Sequence, residues 1–166
     1  MKNKIKAIYF LIAFSTLTLT SCSEEGPQGP AGRDATVYYS EWFSPSGWSG
    51  TNGDWYFIAS APDLTADVVE NGVVLAYCWL AGDIYDASTV RPLPAYAIGA
   101  NWSYLISNYS SIEFTSDMIA IPSTTHKFRF IAIPGTITAL KSTSPNVSDL
   151  KKMSYRDVCK MFNIPE

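Results

Sequence analysis

Histidine is nearly missing from this chain. There is one among 166 residues, His126. Nucleophilic catalysis needs a nucleophile, a base and an orienting group within hydrogen-bond reach. His126 stands in Ser123-Thr124-Thr125-His126 at a strand start, and no G-x-S-x-G occurs anywhere. Its expected place is therefore a loop or strand edge rather than a catalytic centre. Cysteine is scarce as well, at positions 22, 78 and 159. Two cysteines and one distant histidine fall short of the four ligands of a structural zinc. Basic residues are almost absent from residues 22–126, which hold 12 acids against Arg33 and Arg91. That balance excludes a nucleic-acid partner, which requires a basic footprint. No apolar run reaches the ~20 residues needed to span a bilayer. Glycine, at 10 of 166, lies far below the third of all residues that a collagen demands.

What is present begins with a short export pattern. Lys2, Lys4 and Lys6 form a positive head, and residues 7–20 form an apolar segment with a Thr/Ser-rich end. This is the plan of a secretory signal, residues 1–21. Leu19-Thr20-Ser21-Cys22 resembles the bacterial lipobox, in which the cysteine becomes the lipidated first residue of the mature chain. One acyl chain binds a membrane only weakly, so stable anchoring uses more than one. The resemblance implies several chains on Cys22, palmitate among them. The alternative is a signal-peptidase cut near Ser21 that leaves Cys22 a free thiol. Ser23-Glu24-Glu25 resembles the surface-export signals of Bacteroidetes lipoproteins, which implies the cell-surface side of the outer membrane. An ordinary polar tether facing the periplasm is the alternative.

Three Gly-X-Y triplets follow, Gly26-Pro27-Gln28, Gly29-Pro30-Ala31 and Gly32-Arg33-Asp34. Glycine fits the crowded axis of a triple helix, but three triplets are too few to hold three chains together alone. A stiff spacer is the simpler reading for residues 22–34. At about 3.1 Å per residue, polyproline II over residues 23–34 lifts a domain roughly 35–40 Å from its anchor. A trimer seeded by neighbouring domains is the competing possibility.

Residues 35–166 have the size of one domain. Their hydrophobic pattern is mostly of period two, the mark of strands. Phe128 and Phe130 alternate with Lys127 and Arg129, Ile112 and Phe114 flank Glu113, and Trp102, Tyr104 and Ile106 alternate with serines. Two runs, 55–59 and 73–80, are apolar on both faces, and the second is expected as a central strand covered on both sides. Ser46-Gly47, Asn52-Gly53, Asn71-Gly72, Ala81-Gly82 and Pro134-Gly135 punctuate the runs. Short strands with such breaks predict a mostly β chain with one β-sandwich-like domain. A short helix is expected near 65–70, capped by Asp63 or Thr65 and closed by a left-handed Asn71-Gly72. A second is expected near 155–163, capped by Ser154, with Tyr155, Val158, Cys159 and Phe162 on one face. It would plug one end or edge of the sheets.

The whole pattern is similar to small Bacteroidetes lipoproteins that combine a lipobox and a GPxGPxG tract with a β-rich domain. The shared stretches are "LTADVVENGVVLAYCWL", "FRFIAIPG" and a closing "YRDVCKMFNIPE". The resemblance implies the anchor and the fold, and carries over no catalytic residue.

Chemistry has few other candidates. Asp83 and Asp86, or Asp63 and Asp67, form carboxylate pairs of the kind glycoside hydrolysis uses, but neither stands in a recognisable motif. Two carboxylates are also too few for a calcium loop. No cofactor is implied. Cys78 and Cys159 lie in apolar settings, so one bridge and two buried thiols are equally open. The remaining signal is aromatic. Trp48 sits in the small, polar stretch "SPSGWSGTNGDW", with Trp55 and Tyr85 as companions in loops. Exposed aromatics supply rigid contact area for protein partners and flat faces for sugars. The alternative for Trp48 is that it folds back onto a sheet edge. The expectation is thus a non-enzymatic, lipid-anchored module that binds a protein partner, or else a glycan through Trp48, Trp55 and Tyr85.

Overall fold

The computed structural model describes residues 37–84, 89–135 and 147–166, all within the unit Gly32–Glu166. The segment 1–21 expected to direct export, Cys22, the Gly/Pro tract expected to act as a spacer, Tyr85 and Asp86 lie outside the described residues. The chain is mostly β, with two antiparallel sheets and three short helices. The strands are β1 (Tyr38–Tyr39), β2 (Ser49–Thr51), β3 (Asp54–Ser60), β4 (Val73–Trp79), β5 (Val90–Pro92), β6 (Ala95–Ala97), β7 (Ala100–Leu105), β8 (Ser111–Ser116) and β9 (Lys127–Ile133). The helices are α1 (Ala66–Asn71), α2 (Val147–Lys152) and α3 (Tyr155–Phe162). One sheet runs β1-β9-β4-β5 and the other β2-β3-β8-β7-β6.

Side-chain alternation builds the layers. In β8, Ile112, Phe114 and Ser116 are buried, while Ser111, Glu113 and Thr115 between them are only half-buried. The inward set joins Phe57 and Trp102 against Ala76, Cys78, Phe128 and Phe130 of the facing sheet. Aromatic rings fill this space. Phe57 stacks on Phe114 at 5.2 Å between centroids, and Phe128 lies 4.8 Å from Phe114. Offset and edge-on pairs of this kind add attraction beyond the area they bury.

The four-stranded sheet is covered on its other face too. Val73, Leu75, Tyr77, Ile131 and Ile133 meet Leu150, Tyr155, Val158, Cys159 and Ile164. β4 is therefore the doubly covered central strand that its continuous apolar run predicts. Helix α3 does not plug an end or edge. Its buried stripe lies on the outer face of the four-stranded sheet, because that face presents the apolar residues the stripe can match. Ser154 caps α3 by accepting the Asp157 amide at 3.2 Å, and Asn163 closes it in left-handed geometry, with φ 53°. Thr65, rather than Asp63, caps α1.

The expected left-handed end of α1 is not found: Gly72 has φ −101°. Glycine is needed there for space instead. A Cβ at position 72 would stand 2.4 Å from the Ile133 carbonyl oxygen and 2.6 Å from that of Val68. The run 55–59, apolar on both faces, is covered on one. Phe57 points inward, but Ile58 is 61% exposed. The hairpin between β6 and β7 turns on Ile98 and Gly99, both with positive φ (46° and 80°). A β-branched residue is strained there.

A single cation ties Ser40 to Tyr155 and Pro165. Arg129 is 1% exposed, yet no carboxylate pairs with it among the described residues. It donates to the Ser40 carbonyl at 2.8 Å, to the Pro165 carbonyl at 2.6 Å and to the Tyr155 hydroxyl. The rings of Tyr39, Trp42 and Tyr155 surround the guanidinium, the nearest at 5.1 Å. Delocalised charge and a planar fork suit arginine to such a site.

Candidate functional site

With one face of the five-stranded sheet on the core, its other face carries no covering layer among the described residues. Strand register sets what that face displays. Ile58, Glu113 and Leu105 form one row across β3, β8 and β7, and Tyr56, Thr115 and Ser103 form the next. Asn101 extends β7, and Tyr96 lies opposite it on β6. Tyr96 is 69% exposed, and Tyr56 and Leu105 are exposed as well. At ~5 Å between strands, Tyr56 and Tyr96 stand roughly 15 Å apart with hydroxyl and amide side chains between them.

The charge on this sheet is of one sign. No Lys or Arg occurs on β2, β3, β6, β7 or β8, whereas Asp54 and Glu113 do. Beyond the end of β8, the Asp117 carboxylate accepts the Asn101 side-chain and backbone N–H groups, both at 2.6 Å. Those bonds hold its pKa below the usual carboxylate value. The face thus offers two aromatic rings, two aliphatic side chains and neutral hydrogen-bonding groups on an anionic background. It suits flat contact with a partner that is not itself strongly anionic.

The sequence pointed at other aromatics. Trp48 is 9% exposed, its ring edge-on to Phe57 at 4.9 Å and to Trp102 and Phe128 at 6.0 Å each. Its indole N–H donates to the Ser123 carbonyl at 3.4 Å. As a ligand contact Trp48 is corrected: it immediately precedes β2, and folding inward buries a large ring that the polar loop around it cannot. Trp55 is corrected as well. It stands in β3, not in a loop, pointing inward and half-buried against the core. Its Nε1 is sealed from solvent with no partner. The third candidate, Tyr85, lies outside the described residues.

The bridge between Cys78 and Cys159 is absent, and both thiols are free and buried. The reason is strand alternation. Cys78 faces the space between the sheets, while Cys159 packs on the opposite side of the four-stranded sheet. Burial, partly offset by Arg91, pushes the Cys78 thiol up to about 12. A thiol so protonated is a poor nucleophile.

The remaining polar candidates are tied into the fold. Asp83 pairs with Arg91 through two hydrogen bonds, at 2.5 and 3.0 Å. His126 is buried, accepts the Ala81 amide at Nδ1 and sets its ring edge-on to Trp102. Among the described residues no three of His, Cys, Asp and Glu cluster closely enough to hold a metal ion.

Tyr56, Ile58, Tyr96 and Leu105 were missed because each sits in an apolar stretch that reads as core. The available signal was Glu113, which fixes the polar side of β8 and hence, through register, the outward side of its neighbours. Compared with protein-family models, curated proteins and solved structures, the chain matches none.

Proposed function

We propose that this chain is a lipid-anchored, surface-displayed binding module without catalytic activity. Cys22 carries the lipid, the Gly/Pro segment spaces the domain from the outer membrane, and the open face of the five-stranded sheet receives a protein partner. One observation carries the binding half of this reading. Tyr56, Ile58, Tyr96 and Leu105 share the single sheet face that no other described layer covers, although single exposed apolar residues elsewhere need no explanation. The lipobox pattern and the export segment support the anchor.

A glycan partner is the second reading. It now rests on Tyr56 and Tyr96, beside Ser103, Thr115 and Asn101, in place of the loop tryptophans. Protease shaving of intact cells tests the placement, with wild type compared against Cys22→Ala. Wild-type signal is expected to be membrane-bound and lost on shaving, and the variant to be released or mislocalised. A protected wild-type domain, digested only after lysis, gives a periplasm-facing module instead. An array of neutral glycans separates the two ligand classes: glycan binding that Tyr56→Ala abolishes replaces the protein-partner reading.

A further inference from the structure

The sandwich has two unlike outer surfaces. The open face of the five-stranded sheet lies on one side and the exposed side of α2 and α3 on the other, with both sheets between them. Register gathers acids on the first. Trp55 pairs with Ser116, and one step further Asp54 and Asp117 stand at the same end of the face. Glu113 stands towards the other end, between Ile58 and Leu105. Tyr56, Tyr96, Ile58 and Leu105 supply apolar area among these carboxylates.

The second surface is the reverse. Lys151, Lys152 and Lys160 are exposed and form no ion pair among the described residues. Three acids share the layer, but they are occupied locally. Glu166 pairs with Arg156 at 3.5 Å, and Asp157 accepts the Ser154 hydroxyl at 2.6 Å. Asp149 lies in the first turn of α2, where a helix favours a carboxylate. Val147 and Met161, both exposed, add apolar area to the lysines.

Opposite charge on opposite sides makes the chain complementary to itself. Two open faces would set carboxylates against carboxylates, and two helical layers would set lysines against lysines; like charges oppose both contacts. Open face against helical layer joins unlike charges and apolar area at once.

We propose that the occupant of the open face is the helical layer of a second copy of this chain. This rests on the reading of that face as a binding surface. Each copy keeps its other surface free, so the contact is head-to-tail and continues as a row instead of closing as a two-fold dimer. Strands about 5 Å apart and about 20 Å long give roughly 400 Å² per copy, in the range of weak, reversible contacts.

The test uses the full chain in intact cells and a short bis-maleimide that crosses membranes. Two differently tagged copies are co-expressed, one carrying Ile58→Cys and the other Lys160→Cys. The wild type, whose Cys78 and Cys159 are buried, is the blank. A product of twice the chain mass carrying both tags is expected. The double variant Ile58→Cys/Lys160→Cys is expected to give a ladder of multiples. Adding Lys151→Glu and Lys152→Glu, at exposed positions, is expected to reduce that ladder several-fold. A dimer from Ile58→Cys alone means face-to-face copies and overturns the proposal, as does a ladder indifferent to the charge reversal. An Ile58→Cys product of another mass also overturns it, but keeps the open face as the surface for a different protein. If Ile58→Cys yields no product at all, the proposal and the protein-partner reading of the face fail together.

Discussion

His126 is the clearest case of a single residue whose environment fixes its behaviour. Its ring lies 5.1 Å from that of Trp102, nearly perpendicular, and its Nδ1 accepts the Ala81 amide at 3.1 Å. Burial lowers its pKa below the ordinary value of 6.5. The unfolded chain therefore binds a proton before the folded chain does as pH falls. The stabilisation is complete above pH ~6.5 and declines as pH drops from there towards the lower folded value. Protonation at Nδ1 would also remove the acceptor that Ala81 uses. The urea midpoint of the wild type is expected to fall over that interval, and His126→Gln to flatten the fall. An unchanged pH profile in His126→Gln would show that the histidine contributes none of it. Asp117, whose pKa is lowered, acts only in more acidic solution, so the two effects separate.

At the scale of elements, what could be read from the sequence depended on how many faces an element buries. Strand β4 was legible because a strand covered on both sides has no polar positions to spare. Helix α3 was legible because Tyr155, Val158 and Cys159 repeat at helical spacing behind a serine cap. The pairing of the two was not. An apolar helix stripe and a doubly apolar strand each require a partner, yet neither encodes which one. Trp48 was hidden for a related reason, since the sequence around it is polar and its burial depends on rings from β3, β7 and β9. Ile58 was hidden because an exposed isoleucine beside Phe57 looks like core. Arg129 also resisted the sequence. It alternates with phenylalanines as a solvent-facing residue would, but the helical layer covers it. Removing it leaves the Ser40 and Pro165 carbonyls and the Tyr155 hydroxyl without their donor. Arg129→Ala is expected to cost about 3 kcal/mol and to lower Tm by roughly 10 °C. A Tm within about 2 °C of wild type, roughly the shift of a neutral surface change, would mean that this cluster does not tie Ser40 to Pro165.

Over the whole molecule, layers and charge run in the same direction. The helical layer that closes one side carries Lys151, Lys152, Arg156 and Lys160, whereas the five-stranded sheet on the opposite side carries no basic residue. Among the described residues the open face is thus distinguished twice, by its missing cover and by its missing cations. If that face exists to be covered by a partner, its apolar residues contribute to binding and not to folding. Neighbouring positions of β3 separate these roles. Phe57 sits between the sheets, so Phe57→Ala is expected to cost about 3–5 kcal/mol. Ile58, one residue on, points the other way, so Ile58→Ser is expected to change stability by no more than about 0.5 kcal/mol. Urea titration of the two variants measures both. In crosslinking on intact cells, Ile58→Ser is expected to lose an adduct that the wild type forms at this face. A variant that folds as well as wild type and keeps every adduct would place the partner elsewhere. A large loss of stability in Ile58→Ser would instead mean that the face is already covered within the chain itself.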